Sequence, residues 1–182
     1  MVPSREGKTT VIAGLAKIIA QANKKVLVID LDLRKPRLYQ EMKKSNKIGV
    51  TNYLVEDRTI EELVQPINDN LDFIAAGAVP PNPSELLMSN KFEILINKLM
   101  EQYDYILFDT APIGTVIDAT IILKYTDIML LVVMANEAEK NYLENFNKLR
   151  VEKNIKSAGI ILNKVKLTKN QGYDYGDYYK ET

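Results

Sequence analysis

The chain contains no cysteine and no histidine among its 182 residues. Without cysteine there is no disulfide framework and no thiol nucleophile. Without histidine, a serine–histidine triad and a typical zinc site are excluded as well. An excess of charge is also lacking. The 24 basic and 24 acidic side chains balance, which removes the global electrostatic case for a nucleic-acid partner. Long hydrophobic runs are absent too. The apolar stretch from Val11 to Ala16 is broken by Lys17, and no run approaches the ~20 residues needed to span a bilayer. A cytoplasmic location without a signal peptide is therefore expected. What remains for chemistry is carboxylate, lysine, arginine, hydroxyl and backbone, a set that points to phosphate chemistry with a hard cation.

Hydrophobic residues make up 46% of the chain and charged ones 26%. That balance is enough for one well-packed domain and argues against disorder. Short runs rich in Val, Ile and Leu recur at Val26–Ile29, Leu71–Ala75, Tyr105–Phe108, Ile128–Val133 and Ala158–Leu162. Between them lie helical patterns at Lys8–Gln21, Ser84–Gln102, Ala119–Tyr125 and Glu137–Glu152. Asn82-Pro83-Ser84-Glu85 supplies a cap, a first-turn proline and a capping-box glutamate. The run Ile128–Val133 has no polar alternation and is expected to be buried on both faces. Apolar runs between helices predict a mostly parallel sheet with helices on both faces, a doubly wound α/β fold. In such sheets ligands bind beyond the carboxyl ends of the strands, so the residues that end each run are candidates.

Three run ends carry a pattern. Glu6-Gly7-Lys8-Thr9-Thr10 leads directly into a helical segment. Free amides and the helix dipole there suit phosphate, Lys8 adds a point charge and Thr9 can hold magnesium. The glycine that opens the full P-loop pattern would fall at Val2, so the match is partial. The run Val26–Ile29 ends in Asp30 and Asp32, which share one side if the strand continues. The run Tyr105–Phe108 ends in Asp109, as a Walker B element does. Together these supply a phosphate cradle, a magnesium hydroxyl and carboxylates, the parts that phosphoryl transfer needs.

The combination is more particular than a general P-loop. Ile29-Asp30-Leu31-Asp32-Leu33-Arg34-Lys35-Pro36 resembles the Walker A′ motif of the bacterial tyrosine kinases that regulate capsule and exopolysaccharide export, relatives of the septum-positioning and partition ATPases. Ile48–Leu54 is similar to that family's glycine-led segment before a short helix. Gly77 and Pro80–Leu87 match a segment typical of the kinases, and Tyr103–Pro112 looks like their Walker B region. Tyr173, Tyr175, Tyr178 and Tyr179, four of ten tyrosines, crowd into the last ten residues beside Gly172, Asp174, Gly176 and Asp177. The family carries its autophosphorylation sites in such a cluster.

The resemblance implies a P-loop kinase domain over residues 1–166 and a tyrosine-rich tail over 167–182. It implies ATP and Mg2+ as cofactors, with the phosphates on Glu6, Gly7, Lys8, Thr9 and Thr10 and the adenine near Asn163. Lys8, Asp30, Asp32 and Asp109 would be catalytic, Asp30 activating the tyrosine hydroxyl; Thr9, Asp30 and Asp109 would hold the metal. The implied function is autophosphorylation of the tail in trans, in control of capsular or exopolysaccharide synthesis. The implied partners are a membrane-protein activator with a cytoplasmic tail, further copies of the chain and a cognate tyrosine phosphatase, placing the chain at the inner face of the membrane. The family's strand before the P-loop and its upstream ring-forming helix have no counterpart in this sequence, so a shortened version is expected. From Lys164 onward four lysines face three acids. Phosphates at about −1.5 to −2 each would make that tail strongly anionic and expel it from a carboxylate-lined site. A partition-type ATPase switch and a non-catalytic binding module remain as other readings.

Overall fold

The computed structural model describes residues 6–112, 118–135, 140–153, 155 and 157–166. The first helix, α1 (Lys8–Gln21), leads into strand β1 (Val26–Asp30). Then come α2 (Leu38–Glu41), α3 (Val50–Val55), β2 (Val64–Asn68) and β3 (Leu71–Ile74). Two helices, α4 (Pro83–Leu87) and α5 (Asn90–Met100), precede β4 (Tyr105–Asp109). After α6 (Asp118–Ile122) and a 3-10 turn at Leu123–Tyr125, β5 (Ile128–Met134), α7 (Lys140–Glu152) and β6 (Ser157–Asn163) complete the order.

Four strands form one sheet in the order β2-β3-β1-β4, with β1 parallel to both β3 and β4. Strand β2 runs antiparallel on the edge and carries Pro66, a residue that edge strands tolerate because its missing N–H costs no ladder bond there. All five residues of β1 are buried. Their alternation divides the core. Val26 and Val28 pack under α1, where the small residues Ala13, Ala16 and Ala20 let the helix lie close. Leu27 and Ile29 pack on the opposite face with Phe92, Leu95, Ile96 and Leu99 of α5, a helical stripe. The α/β fold with helices on both faces is thus present.

Three expectations need correction. The helix expected over Ser84–Gln102 is two helices. Ser89 ends the first by donating to the Leu86 carbonyl at 2.7 Å, and it caps the second by accepting from the Phe92 amide at 3.2 Å. The run Ile128–Val133 is not buried on both faces, since Ile128 is 61% and Leu130 46% exposed. Met129, Leu131 and Val133 pack against Phe146 of α7 and Ile155, which covers one face only. Finally, β5 and β6 pair with each other in a separate two-stranded parallel sheet, and among the described residues no strand joins β5 to β4. Accordingly β4 is less enclosed than β1, and Tyr105 at its start is exposed.

Candidate active site

Strands β1 and β4 end in register, Asp30 opposite Asp109. Two carboxylates are thereby set side by side at the carboxyl edge of the sheet. Asp30 is fully buried and Asp109 is 6% exposed. The strand stops at Asp30, so the extension that would have put Asp32 on the same side does not continue. Instead the Asp30 carboxylate accepts the backbone N–H of Asp32 at 3.2 Å and that of Leu38 at 3.1 Å. Asp32 is half-buried and accepts the Lys35 N–H at 3.0 Å. The loop after β1 is therefore folded around its own two aspartates, an arrangement that short acceptor side chains favour.

The start of α1 meets this edge. Gly7 has φ of 84°, in the left-handed region open to glycine, and a Cβ there would stand 2.4 Å from the Asn163 side-chain nitrogen. No side chain caps the first turn and no acidic residue lies in it, so the amides at Lys8, Thr9 and Thr10 are left to an anion. The Lys8 ammonium sits 3.1 Å from the Glu6 carboxylate. The Thr9 hydroxyl donates to the Asp109 carboxylate at 2.8 Å. Thr10 turns away toward Glu41 of α2, 3.2 Å distant. Asn163, at the end of β6, donates to the Glu6 carbonyl at 2.8 Å and accepts the Lys164 N–H at 2.9 Å. Both polar ends of its side chain are thus engaged at the P-loop and the strand end.

The electrostatics follow from burial. Desolvation raises the Asp30 carboxyl from its usual acidic value to about 7, aided by the charge of Asp109 and opposed by the two backbone N–H groups. Burial likewise pushes Asp109 up to about 6, against the Thr9 hydrogen bond and the Lys8 charge. Two neighbouring carboxylates that resist ionisation form a place where a cation is welcome. Thr9, Asp30 and Asp109 are all hard oxygen donors, which suits Mg2+. Among the described residues no three His, Cys, Asp or Glu side chains form a ready metal cage.

A further cluster lies on the same edge. The Arg34 guanidinium reaches Asp118 at 2.7 and 3.4 Å and the Ser84 hydroxyl at 3.1 Å, while Ser84 donates to the same Asp118 carboxylate. Asp118 is 1% exposed. Burial acts to raise its carboxyl, but the hydrogen bonds from Arg34 and Ser84 and the Arg34 charge together hold it below the usual value. Arg34 and Ser84 lie within motifs legible in the sequence, whereas Asp118 carries no sequence signal. The tail tyrosines Tyr173, Tyr175, Tyr178 and Tyr179 lie outside the described residues.

A family described as an AAA domain matches residues 6–166. The tyrosine-protein kinase YwqD of Bacillus subtilis is 38% identical over 93% of this chain and 72% of its own length. The chain belongs to the bacterial tyrosine kinases. The kinase domain of the Escherichia coli tyrosine kinase ETK superposes with a TM-score of 0.84 at 33% identity, covering 95% of this chain and 68% of that one. A septum site-determining protein MinD from Pyrococcus horikoshii, solved with Mg-ADP, reaches a TM-score of 0.69 at 25% identity, over 87% of this chain and 65% of that one. The chain is thus a tyrosine-protein kinase on a P-loop scaffold shared with MinD-like ATPases.

Proposed function

We propose that the chain is an ATP-dependent protein-tyrosine autokinase that regulates capsular or exopolysaccharide synthesis or export and phosphorylates Tyr173, Tyr175, Tyr178 and Tyr179 of another copy. Residues 1–166 act as the catalytic domain and 167–182 as its substrate. The observation that carries this reading is the meeting of the Thr9 hydroxyl with the Asp109 carboxylate at 2.8 Å, beside Lys8 and the Asp30–Asp32 loop. Phosphate cradle, metal donors and a carboxylate loop come together at one sheet edge.

In this mechanism the amides from Gly7 to Thr10 bind the nucleotide phosphates, and Lys8 exchanges Glu6 for them. Thr9 and Asp109 would hold Mg2+; bound there, the ion would neutralise charge on the transferring phosphoryl group. Tyrosine has a pKa of about 10, so its hydroxyl gains from a nearby carboxylate. Asp30 has a pKa suited to a base, yet it is fully buried and both of its oxygens accept backbone N–H groups. We therefore assign contact with the hydroxyl to half-buried Asp32, and the shaping of its loop to Asp30. Asn163, with both polar ends engaged, braces the P-loop rather than reading the adenine. No helix among the described residues is long and apolar enough to cross a membrane. In this reading a membrane-protein activator brings the chain to the inner face of the membrane, and a cognate phosphatase resets the tail.

Intact mass after incubation with magnesium and ATP tests the reading, with Lys8→Met as control. Stepwise phosphoryl additions that map to the tail and vanish in Lys8→Met are expected. ATP hydrolysis without phosphotyrosine would instead favour a MinD-like switch and overturn the kinase reading.

A further inference from the structure

The loop from Leu31 to Arg37 carries Asp32 but has no regular structure of its own. Two kinds of anchor hold it. Leu31 is fully buried and Leu33 is 1% exposed, both in the core cluster with Phe92 and Leu87. Such contacts fix depth, but they are not directional. Directional anchoring comes from the N–H groups of Asp32 and Leu38 on Asp30 within the loop, and, from outside the loop and its strand, from Arg34. Its Nε and one terminal nitrogen grip the two oxygens of Asp118, and the same terminal nitrogen bonds Ser84 at 3.1 Å. Ser84 closes the ring by donating to Asp118. A buried carboxylate held by a planar fork and a hydroxyl has its orientation fixed by several bonds at once. The ring joins three segments: the Asp32 loop, the second residue of α4, and the first residue of α6.

We propose that Arg34 is a positioning residue for phosphoryl transfer: clamped between Asp118 and Ser84, it sets the direction in which the loop presents Asp32. The proposal rests on the kinase reading above for its consequence, while its structural core concerns this chain alone. Loss of Arg34 leaves the buried Asp118 carboxylate with Ser84 and so should lower stability, but because Leu31 and Leu33 keep the loop at its depth, the structural disturbance should centre on the loop's orientation. Lysine supplies the charge but not the fork, so charge and geometry can be told apart.

The test uses the full-length chain with Arg34→Ala and Arg34→Lys, read in two ways. Amide hydrogen exchange without nucleotide should show the Asp32 and Lys35 N–H groups, which bond to Asp30 and Asp32, exchanging about tenfold faster in both variants. The amides of β1 and β3 should keep their protection. Titration with a fluorescent ADP in the presence of Mg2+ should show affinity within about twofold of the unaltered chain, while the rate of tail phosphorylation falls by about fivefold. Wild-type protection at Asp32 and Lys35 in Arg34→Ala would overturn the proposal. So would equal loss of protection across β1 and β3, or full retention in Arg34→Lys, which would show that charge alone suffices. Absence of phosphotyrosine in the unaltered chain would sink the kinase reading instead, and the exchange result would still decide how the loop is held.

Discussion

At the scale of single residues, the molecule keeps two carboxylates where water cannot solvate them. Asp30 titrates near 7 and Asp109 near 6, both pushed up chiefly by burial. An acid whose folded pKa lies above its unfolded value binds its proton more tightly when folded. Its contribution to stability is therefore full below about pH 4 and is lost as the pH rises through 6 and 7. The other shifted carboxyls, Glu56, Glu61, Glu62, Glu93 and Asp118, are lowered and exert their effect in more acidic solution. Between pH 5 and 8 the slope should thus belong to Asp30 and Asp109. Thermal or urea unfolding without nucleotide should show stability falling by on the order of 2–4 kcal/mol over that range. Saturating Mg-ADP should flatten the slope, because a cation beside the pair favours the ionised form. A slope that rises with pH, or one unchanged by Mg-ADP, would contradict the arrangement. These aspartates were legible in the sequence because each ends an apolar run. The way Asp30 turns inward to take the N–H groups of Asp32 and Leu38 was not, since nothing in local sequence says where a strand stops hydrogen bonding.

At the scale of elements, the long apolar patterns gave reliable strands and the polar connections did not. Lys8–Gln21 is a helix over its expected length, and the five apolar runs are strands to within a residue at either end. Strand β2 and helix α2 carry no clear pattern in the sequence: the first is a half-polar edge strand, and the second is a single turn whose Leu38 amide is held by the Asp30 carboxylate. Helix α3 shows another reason. Its first amides, Val50 and Thr51, bond the carbonyls of Ala75 and Ala76, which follow β3. This junction is tight enough that a Cβ on Gly49 would stand 2.1 Å from the Ala75 carbonyl oxygen. Gly49 has extended backbone, so the constraint is space rather than conformation. Gly49→Ala should force the α3–β3 junction apart and cost about 2–4 kcal/mol. Chemical denaturation measures that directly, with Gly14→Ala, where nothing lies within 4 Å, as a control expected to be neutral or stabilising.

At the scale of the whole molecule, the described residues divide into a four-stranded sheet with a two-sided core and a smaller β5–α7–β6 unit. Sequence gave the strands of both but not their separation, since pairing across sheets is a property of space rather than of pattern. The consequence is unequal stability. Strand β1 has a partner on each edge and five buried residues. Among the described residues β5 and β6 pair only with each other, and Ile160 and Leu162 of β6 are more than half exposed. Two-stranded sheets are marginal unless something covers them, and here α7 covers one face. Amide exchange should therefore be at least about tenfold faster in β5 and β6 than in β1 and β3. The link between the units also predicts where a ligand changes this. Asn163 at the end of β6 donates to the Glu6 carbonyl, and its side-chain nitrogen lies against Gly7. A nucleotide that orders the P-loop should slow exchange at the last residues of β6 while leaving its first residues unchanged. Asn163→Ala should abolish that protection even where nucleotide still binds. Uniform protection along β6, or none, would mean that the P-loop and the smaller sheet are not coupled through this side chain.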